Sequence, residues 1–406
     1  MCVLRNLVLT VLVVFFLLIR FAYAGEAQPV TPDMLGKSVK LRIVVDKVMQ
    51  PTNDWVTEEW MVETSAAAGF NVYSPRIKHD RLDEVKCVAR RCATHGIFHM
   101  PWMRGSLPAP DEPAADGKRV TWGNGAEQPL WSPNSDEFWE WLTRYVLAYA
   151  RIASKDPHLV GVFLDFENYA PGNQGNLYSI SYDDVILKRF AESRELLLPD
   201  LPNGARKQWL EEQRLHDDFE DFQIAFWRAK CRGLRAAVDE YAPGFRFCIY
   251  PAPGTPFMVQ AIYQEWATAS APLILGDPST YGRPSRFMQQ EEALKANRRK
   301  LLDNMRAPEE AGIAYLYAGG IDPIVRGADP EFCGKNAVVL SETGHGYWVF
   351  YEQLDYEKQH PEYWRWLTWA NETIAAGRLD AWKEPRESPV TWLSESLGLA
   401  HAGETG

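Results

Sequence analysis

Eight short runs of apolar, β-branched and aromatic residues recur along the chain. They are Leu41–Val45, Phe70–Tyr73, Ile97–Met100, Val160–Asp165, Phe245–Tyr250, Pro272–Leu275, Ile313–Tyr317 and Tyr347–Tyr351. Each has the length and composition of a buried strand. Between them lie segments of helical periodicity: Thr57–Ala68, Arg81–Thr94, Ser135–Ala153, Arg206–Tyr241, Glu291–Met305 and Pro361–Ala376. Gly69, Gly96, Gly244, Gly312 and Gly346 each stand immediately before a run, where a helix C-cap turns into the next strand.

Five of the seven gaps between run starts lie between 27 and 41 residues, about one strand-plus-helix unit. Eight such units predict an α/β fold, a single (β/α)8 TIM barrel spanning 25–380 with a tail at 381–406. The alternative, an open doubly wound sheet, would carry a Gly-x-Gly-x-x-Gly turn after the first strand, and none is there. The two oversized gaps hold Pro- and Gly-rich stretches, 105–134 after the third run and 168–182 after the fourth. Both fall on the C-terminal barrel face, where long loops wall clefts. The insertion around 183–240 is expected to pad the outside.

The start of the chain sets the expected compartment. Leu7–Ile19 is a 13-residue apolar run flanked by Arg5 and Arg20, and Ala22-Tyr23-Ala24 precedes Gly25. The run is shorter than a membrane span and fits a secretory signal over 1–24, giving a secreted or periplasmic protein; the alternative is an uncleaved anchor. No later stretch is long and apolar enough to span a bilayer. Cleavage leaves Cys87, Cys92, Cys231, Cys248 and Cys333, an odd, sparse set that reads as small core residues rather than a disulfide framework. The 406 residues carry 43 Lys plus Arg against 54 Asp plus Glu, a net charge of −11. That surplus argues against a nucleic acid partner, which would need a basic surface.

The fourth run continues as Leu164-Asp165-Phe166-Glu167-Asn168-Tyr169. Strand alternation puts Asp165 and Glu167 on one face with Phe166 on the other. Two same-facing carboxylates at the end of an apolar strand repel one another and lose solvent, which raises at least one pKa into the range of a proton donor at neutral pH. The structural alternative is a pair holding a loop through Arg76 or Arg104. Other strand ends offer polar and aromatic groups: Tyr73 and Arg76, Trp102 and Arg104, Tyr250, Asp277 with Tyr281, Tyr317 with Asp322, and Trp348 with Tyr351 and Glu352. Aromatic faces at one barrel end suit the CH faces of sugar rings, and the other reading is upper-layer packing. Asn168 and Tyr169 join this set as neighbours of the acidic pair. For a two-carboxylate mechanism, Asp277 and Glu352 are the second-carboxylate candidates, with Asp322 behind them.

Residues 160–167 resemble the fourth strand of TIM-barrel glycoside hydrolases, nearest to family 18 chitinases and their DGxDxDxE motif. Gly161, Asp165 and Glu167 match its Gly, last Asp and Glu, whereas Val160 and Phe163 stand at its first two acidic positions. The resemblance implies Glu167 as general acid and Asp165 as its partner, orienting a substrate amide and sharing a proton. Tyr347-Trp348 is similar to the Trp-bearing last strand of that family. A version like the α-galactosidase barrels would instead use Asp165 as nucleophile and Asp277 as acid. The nucleophilic Glu of the largest retaining barrel clan is missing from Ile313–Ile321.

No cofactor or metal is expected, because the first run lacks the His-x-His of metal-dependent amidohydrolase barrels and His95 and His99 straddle a helix end and a strand. His345, between glycines, reads as structural, and Trp364, Trp366 and Trp369 as helix packing. The expectation is an exported glycoside hydrolase acting on an oligo- or polysaccharide. Its rival is a non-catalytic carbohydrate-binding barrel, and a metal-dependent deacetylase barrel is the third class.

Overall fold

A computed structural model describes residues 29–46, 56–323, 328–351 and 361–383. The chain divides into two units, Met1–Thr31 and Pro32–Gly406, and the architecture below belongs to the second. The expected leader at 1–24 and most of the tail, 384–406, lie outside the described residues.

All eight predicted runs are strands. They form β1 (Leu41–Asp46), β2 (Val72–Pro75), β3 (Phe98–His99), β7 (Gly161–Asp165), β8 (Arg246–Tyr250), β9 (Leu273–Asp277), β10 (Tyr315–Ile321) and β11 (Gly346–Tyr351), and a ninth short strand that no run predicts, β4 (Trp102–Arg104), follows β3. Between β4 and β7 lies a separate antiparallel hairpin, β5 (Arg119–Thr121) and β6 (Glu127–Trp131). The parallel sheet runs β3-β2-β1-β11-β10-β9-β8-β7-β4. Its two ends are halves of one stave, because β3 and β4 are separated only by Met100-Pro101. Pro101 has no N–H to give the ladder, so the third stave breaks there, its first half pairing with β2 and its second with β7. Single parallel bridges, Arg76 to Trp102 and His99 to Leu159, stitch across the break. Eight staves close, as the spacing predicts.

Alternation along each stave divides the core into two layers. Ile43, Val45, Phe163, Cys248, Ile274, Ala318 and Trp348 fill the barrel. Their neighbours Val44, Val162, Leu164, Ile249, Leu275, Tyr317 and Val349 pack outward on the helices. Those helices are α1 (Glu59–Ala67), α2 (Leu82–Thr94), α3 (Asp136–Ala153), α6 (His216–Asp239), α7 (Pro256–Trp266), α8 (Gln290–Glu310), α9 (Pro330–Thr343) and α10 (Pro361–Ala375). Ser135, Thr255 and Asp329 cap three of them by accepting from the N–H three residues on. The N-terminal end of the barrel is sealed by Leu35 and by the buried Arg246. The Arg246 guanidinium donates to the carbonyls of Leu35 (2.9 Å) and Pro32 (2.7 Å).

The predicted 206–241 helix divides into α5 (Arg206–Glu212) and α6, with Arg214 at φ +58 between them. Together with α4 (Asp184–Ser193), α5 and the start of α6 close a small satellite core around Phe190, Leu210 and Phe219. That core sits beside the barrel, as expected of an insertion. Gly69, Gly96 and Gly312 take the positive φ of a C-cap, but Gly346 is the first residue of β11. Trp364 packs against Phe70 and Tyr351, and Trp366 against Trp369. Ala381–Lys383 is a docked turn whose Trp382 indole donates to Glu342 (3.0 Å). Among the described residues, no helix is long and apolar enough to cross a membrane, and Cys92, Cys231, Cys248 and Cys333 are buried free thiols.

Candidate active site

Asp165 ends β7 on the inward-facing side of the stave, 2% exposed. Its register partner on β4 is Arg104, whose Nη1 donates to Asp165 Oδ2 at 2.6 Å. The other oxygen, Oδ1, accepts the Glu167 N–H at 2.8 Å. The loop-holding role considered above for an arginine therefore exists at Asp165. Burial nevertheless outweighs both donors and pushes the carboxyl up to about 6.

The folded protein keeps the Asp165 proton to higher pH than the unfolded chain does, so ionising it costs stability as pH rises from about 4 to about 6. Below that window the cost is absent, and above it the cost is complete. The stability advantage of Asp165→Asn over the parent should thus grow between pH 4.5 and pH 7, as measured by urea unfolding. An advantage that shrinks over this range would mean that Arg104 governs the group instead.

Glu167 lies just beyond the strand end, half-buried. Its Oε1 accepts from Asn176 Nδ2 (3.3 Å). Burial, and then a hydrogen bond to Glu167, push the Tyr169 hydroxyl up to about 12. Tyr169 holds φ +47, uncommon for a residue with a Cβ, and the Arg104 guanidinium lies 5.5 Å from its ring centroid. The loop folds back on itself through Asn168 N–H to Asn176 O (2.7 Å) and Ala170 N–H to Gly175 O (3.0 Å). Gln128 of the hairpin donates its amide to the Asn168 carbonyl. The hairpin is itself held to the start of α4 by Tyr182 N–H to Thr121 O (2.8 Å) and Asp184 N–H to Gly117 O (3.0 Å). A fixed wall thus holds the backbone beside Glu167. The buried Asn168 side-chain amide has no hydrogen-bond partner at either atom.

Inward-facing aromatics lie beneath the acidic pair. Tyr250, the register partner of Asp165, accepts from the Tyr281 hydroxyl at 2.7 Å. Trp348 meets Tyr250, Tyr281, Phe163 and Phe350 with ring centroids between 4.5 and 5.6 Å. Gly320 makes room for this stack, since a Cβ there would press on the Trp348 and Tyr281 rings. Burial, the Tyr250 hydroxyl, Asp322 and Glu167 together push the Tyr281 hydroxyl up, so Asp322 and Glu167 both act on that one phenol. Asp322, 8% exposed, follows β10 and donates its N–H to Tyr281 O (3.0 Å). On the neighbouring wall, Arg76 covers the Trp102 ring at 4.8 Å.

Of the residues expected at this site, Asp165, Glu167, Arg104, Tyr169, Tyr250, Tyr281, Asp322 and Trp348 come together. Arg76 and Trp102 form the adjoining wall, and Asn168 is buried against the hairpin. Three others face the helices instead. Tyr73 donates to Asp46 (2.5 Å) behind β2. Asp277 accepts from Asn304 (2.8 Å), Tyr317 (3.0 Å) and the Ser279 N–H (2.7 Å). Tyr317 is therefore its partner in the outer layer, and neither residue faces Asp165. Glu352 lies outside the described residues. Asn176 and Gln128, which hold Glu167 and its loop, are not predicted by strand alternation because they sit on segments without periodicity. Among the described residues, no three His, Cys, Asp or Glu side chains are grouped to hold a metal ion.

No family model matches the sequence, and no curated protein matches it. Solved structures do match the fold. The β-galactosidase of Bacillus circulans sp. alkalophilus superposes with a TM-score of 0.54 at 12% identity, over 86% of this chain and 58% of its own. That of the Antarctic haloarchaeon Halorubrum lacusprofundi gives 0.52 at 12% identity, over 83% and 58%. The α-L-fucosidase isoenzyme 2 of Paenibacillus thiaminolyticus gives 0.50 at 10% identity, over 84% and 50%. This chain therefore spans between half and three fifths of the length of these structures, and the likeness is one of fold.

Proposed function

We propose that this barrel binds a carbohydrate at the C-terminal ends of its strands and hydrolyses an O-glycosidic bond, with Glu167 as proton donor. The observation that carries the reading is the Asp165–Glu167 pair at the mouth of the barrel, above the Tyr250–Tyr281–Trp348 stack. Glycosidases among the fold neighbours are consistent with it. The Asn176 amide and the Tyr169 hydroxyl aim the Glu167 carboxyl. Asp165, held by Arg104, keeps a carboxyl with a raised pKa beside it, so the net negative charge at the mouth stays low when Glu167 gives up its proton. Asp322, on the seventh stave, supplies the opposing carboxylate, because Asp277 is committed to Asn304 and Tyr317. A separation of about 5–5.5 Å across the cleft would make the reaction retaining, and about 6.5–9.5 Å inverting. Export through the expected leader would put the substrate outside the cytoplasm.

A second reading, a non-catalytic sugar-binding barrel, is favoured by the Arg104–Asp165 ion pair and by Val160 and Phe163 at acidic positions of the chitinase-like motif. One experiment separates the two. Incubation with a panel of polysaccharides and nitrophenyl glycosides between pH 5 and 7 is expected to release reducing ends or nitrophenol from at least one member. Binding with no release from any member would make the protein a lectin-like barrel, and absence of both would remove carbohydrate altogether.

A further inference from the structure

Among the described residues, Phe287 and Tyr169 are the two most exposed aromatic side chains, at 81% and 67%. Both stand on loops leaving the C-terminal ends of staves. Tyr169 follows β7 and Phe287 follows β9, with only β8 between them, so the strand ends they spring from are about 10 Å apart. Each ring has a guanidinium against it, Arg104 at 5.5 Å and Arg286 at 4.9 Å. A cation on one face of a ring leaves the other face for a ligand.

The turn that displays Phe287 is braced. Arg283 donates through Nη1 to the Met288 carbonyl (2.9 Å) and through Nη2 to the Asp329 carboxylate, while stacking 5.2 Å from the Phe332 ring. Within the turn, Met288 N–H reaches Ser285 O (3.0 Å) and Phe287 N–H reaches Ser285 Oγ (3.3 Å). A phenyl ring left in water forgoes the gain of burial, and here a fixed turn holds it out. The same loop begins at Tyr281, which lines the candidate site. Phe287 is six positions after Tyr281, so the two Cα atoms are no more than about 20 Å apart.

We infer that Phe287, backed by Arg286, is a distal stacking platform for a sugar unit remote from the one cleaved, so that the ligand is a chain of several sugars lying from Tyr169 across to Phe287. This rests on the carbohydrate reading proposed above. A polysaccharide chain fits because the platforms are single separated rings flanked by cations and polar loop residues. A protein partner or a second copy of this chain would call for a continuous apolar patch.

The test uses the full-length protein and Phe287→Ala, with Phe287→Trp as the conservative variant. A disaccharide and a hexasaccharide of whichever glycan an immobilised polysaccharide array selects serve as probes, titrated calorimetrically. Phe287→Ala should weaken hexasaccharide binding about tenfold, the loss of one stacking contact. It should leave disaccharide binding and the thermal midpoint unchanged, and Phe287→Trp should restore the hexasaccharide. Equal losses on both probes, or none on either, overturn the platform while leaving the carbohydrate reading intact. A changed oligomeric mass of Phe287→Ala overturns it in favour of a contact between copies. No glycan retained by the parent protein overturns both.

Discussion

Replacing Glu167 by Gln is expected to lower kcat on an unmodified oligosaccharide by about a thousandfold, within the 10²–10⁴ range for removal of a general acid. Gln is isosteric and still accepts from Asn176 and Tyr169, so KM and the thermal midpoint stay close to those of the parent. The leaving group supplies a sharper readout. A nitrophenolate departs without a proton, so a donor's loss costs little on a nitrophenyl glycoside and much on a sugar leaving group. If the two substrates fall together, Glu167 is a nucleophile and the donor is another residue. Activity retained on both would remove Glu167 from the reaction. Asp165→Asn is the companion variant. A donor at Asp165 would transfer the leaving-group dependence to that position, although its burial under Arg104 leaves little access for a glycosidic oxygen.

The sequence revealed the acidic pair more readily than what lies opposite it. Asp165 and Glu167 are legible because an apolar strand running into two same-facing carboxylates has few structural uses. Asp277 misleads because β9 is buried on both faces. Leu273 and Leu275 point outward, Ile274 inward, and no polar alternation marks which side is the lumen. A local cue did exist, since Asp277-Pro278-Ser279 is an N-cap followed by Pro, the signature of a carboxylate turned back onto its own backbone. Helix α9 escapes periodicity for a related reason. From Glu331 to Ser341 it is buried all round, including Lys335 paired to Glu331 at 3.1 Å, so it has no polar stripe to alternate with the apolar one. The hairpin and the Asn176 turn read as loops in the sequence because short, irregular segments carry no period. They matter to the site through single contacts that only the folded chain brings together.

Two glycines show that the same substitution should have opposite effects at different places. Gly346 opens β11 at the seam where the last stave meets the first, paired with Leu41. Its φ is +146, and a Cβ there would run into the Leu41 backbone, nitrogen and carbonyl oxygen included. Backbone cannot swing aside as a flexible side chain can. Gly346→Ala therefore incurs left-handed strain of about 1–3 kcal/mol and a similar overpacking cost. The barrel seam must part or shift to accommodate them. A stability loss of about 3–5 kcal/mol is expected, a large fraction of what holds a domain folded, with a lowered urea midpoint or no soluble protein. Gly233 lies in the exposed middle of α6, with helical φ and nothing within 4 Å of a built Cβ. There Ala only removes freedom from the unfolded chain and supplies a better helix former, so Gly233→Ala should stabilise by about 0.5–1 kcal/mol. Urea unfolding of the two variants beside the parent checks both signs. Tolerance of Ala at 346 would mean that the first and last staves are not in register, and with that the closure of the barrel beneath Glu167 would fail.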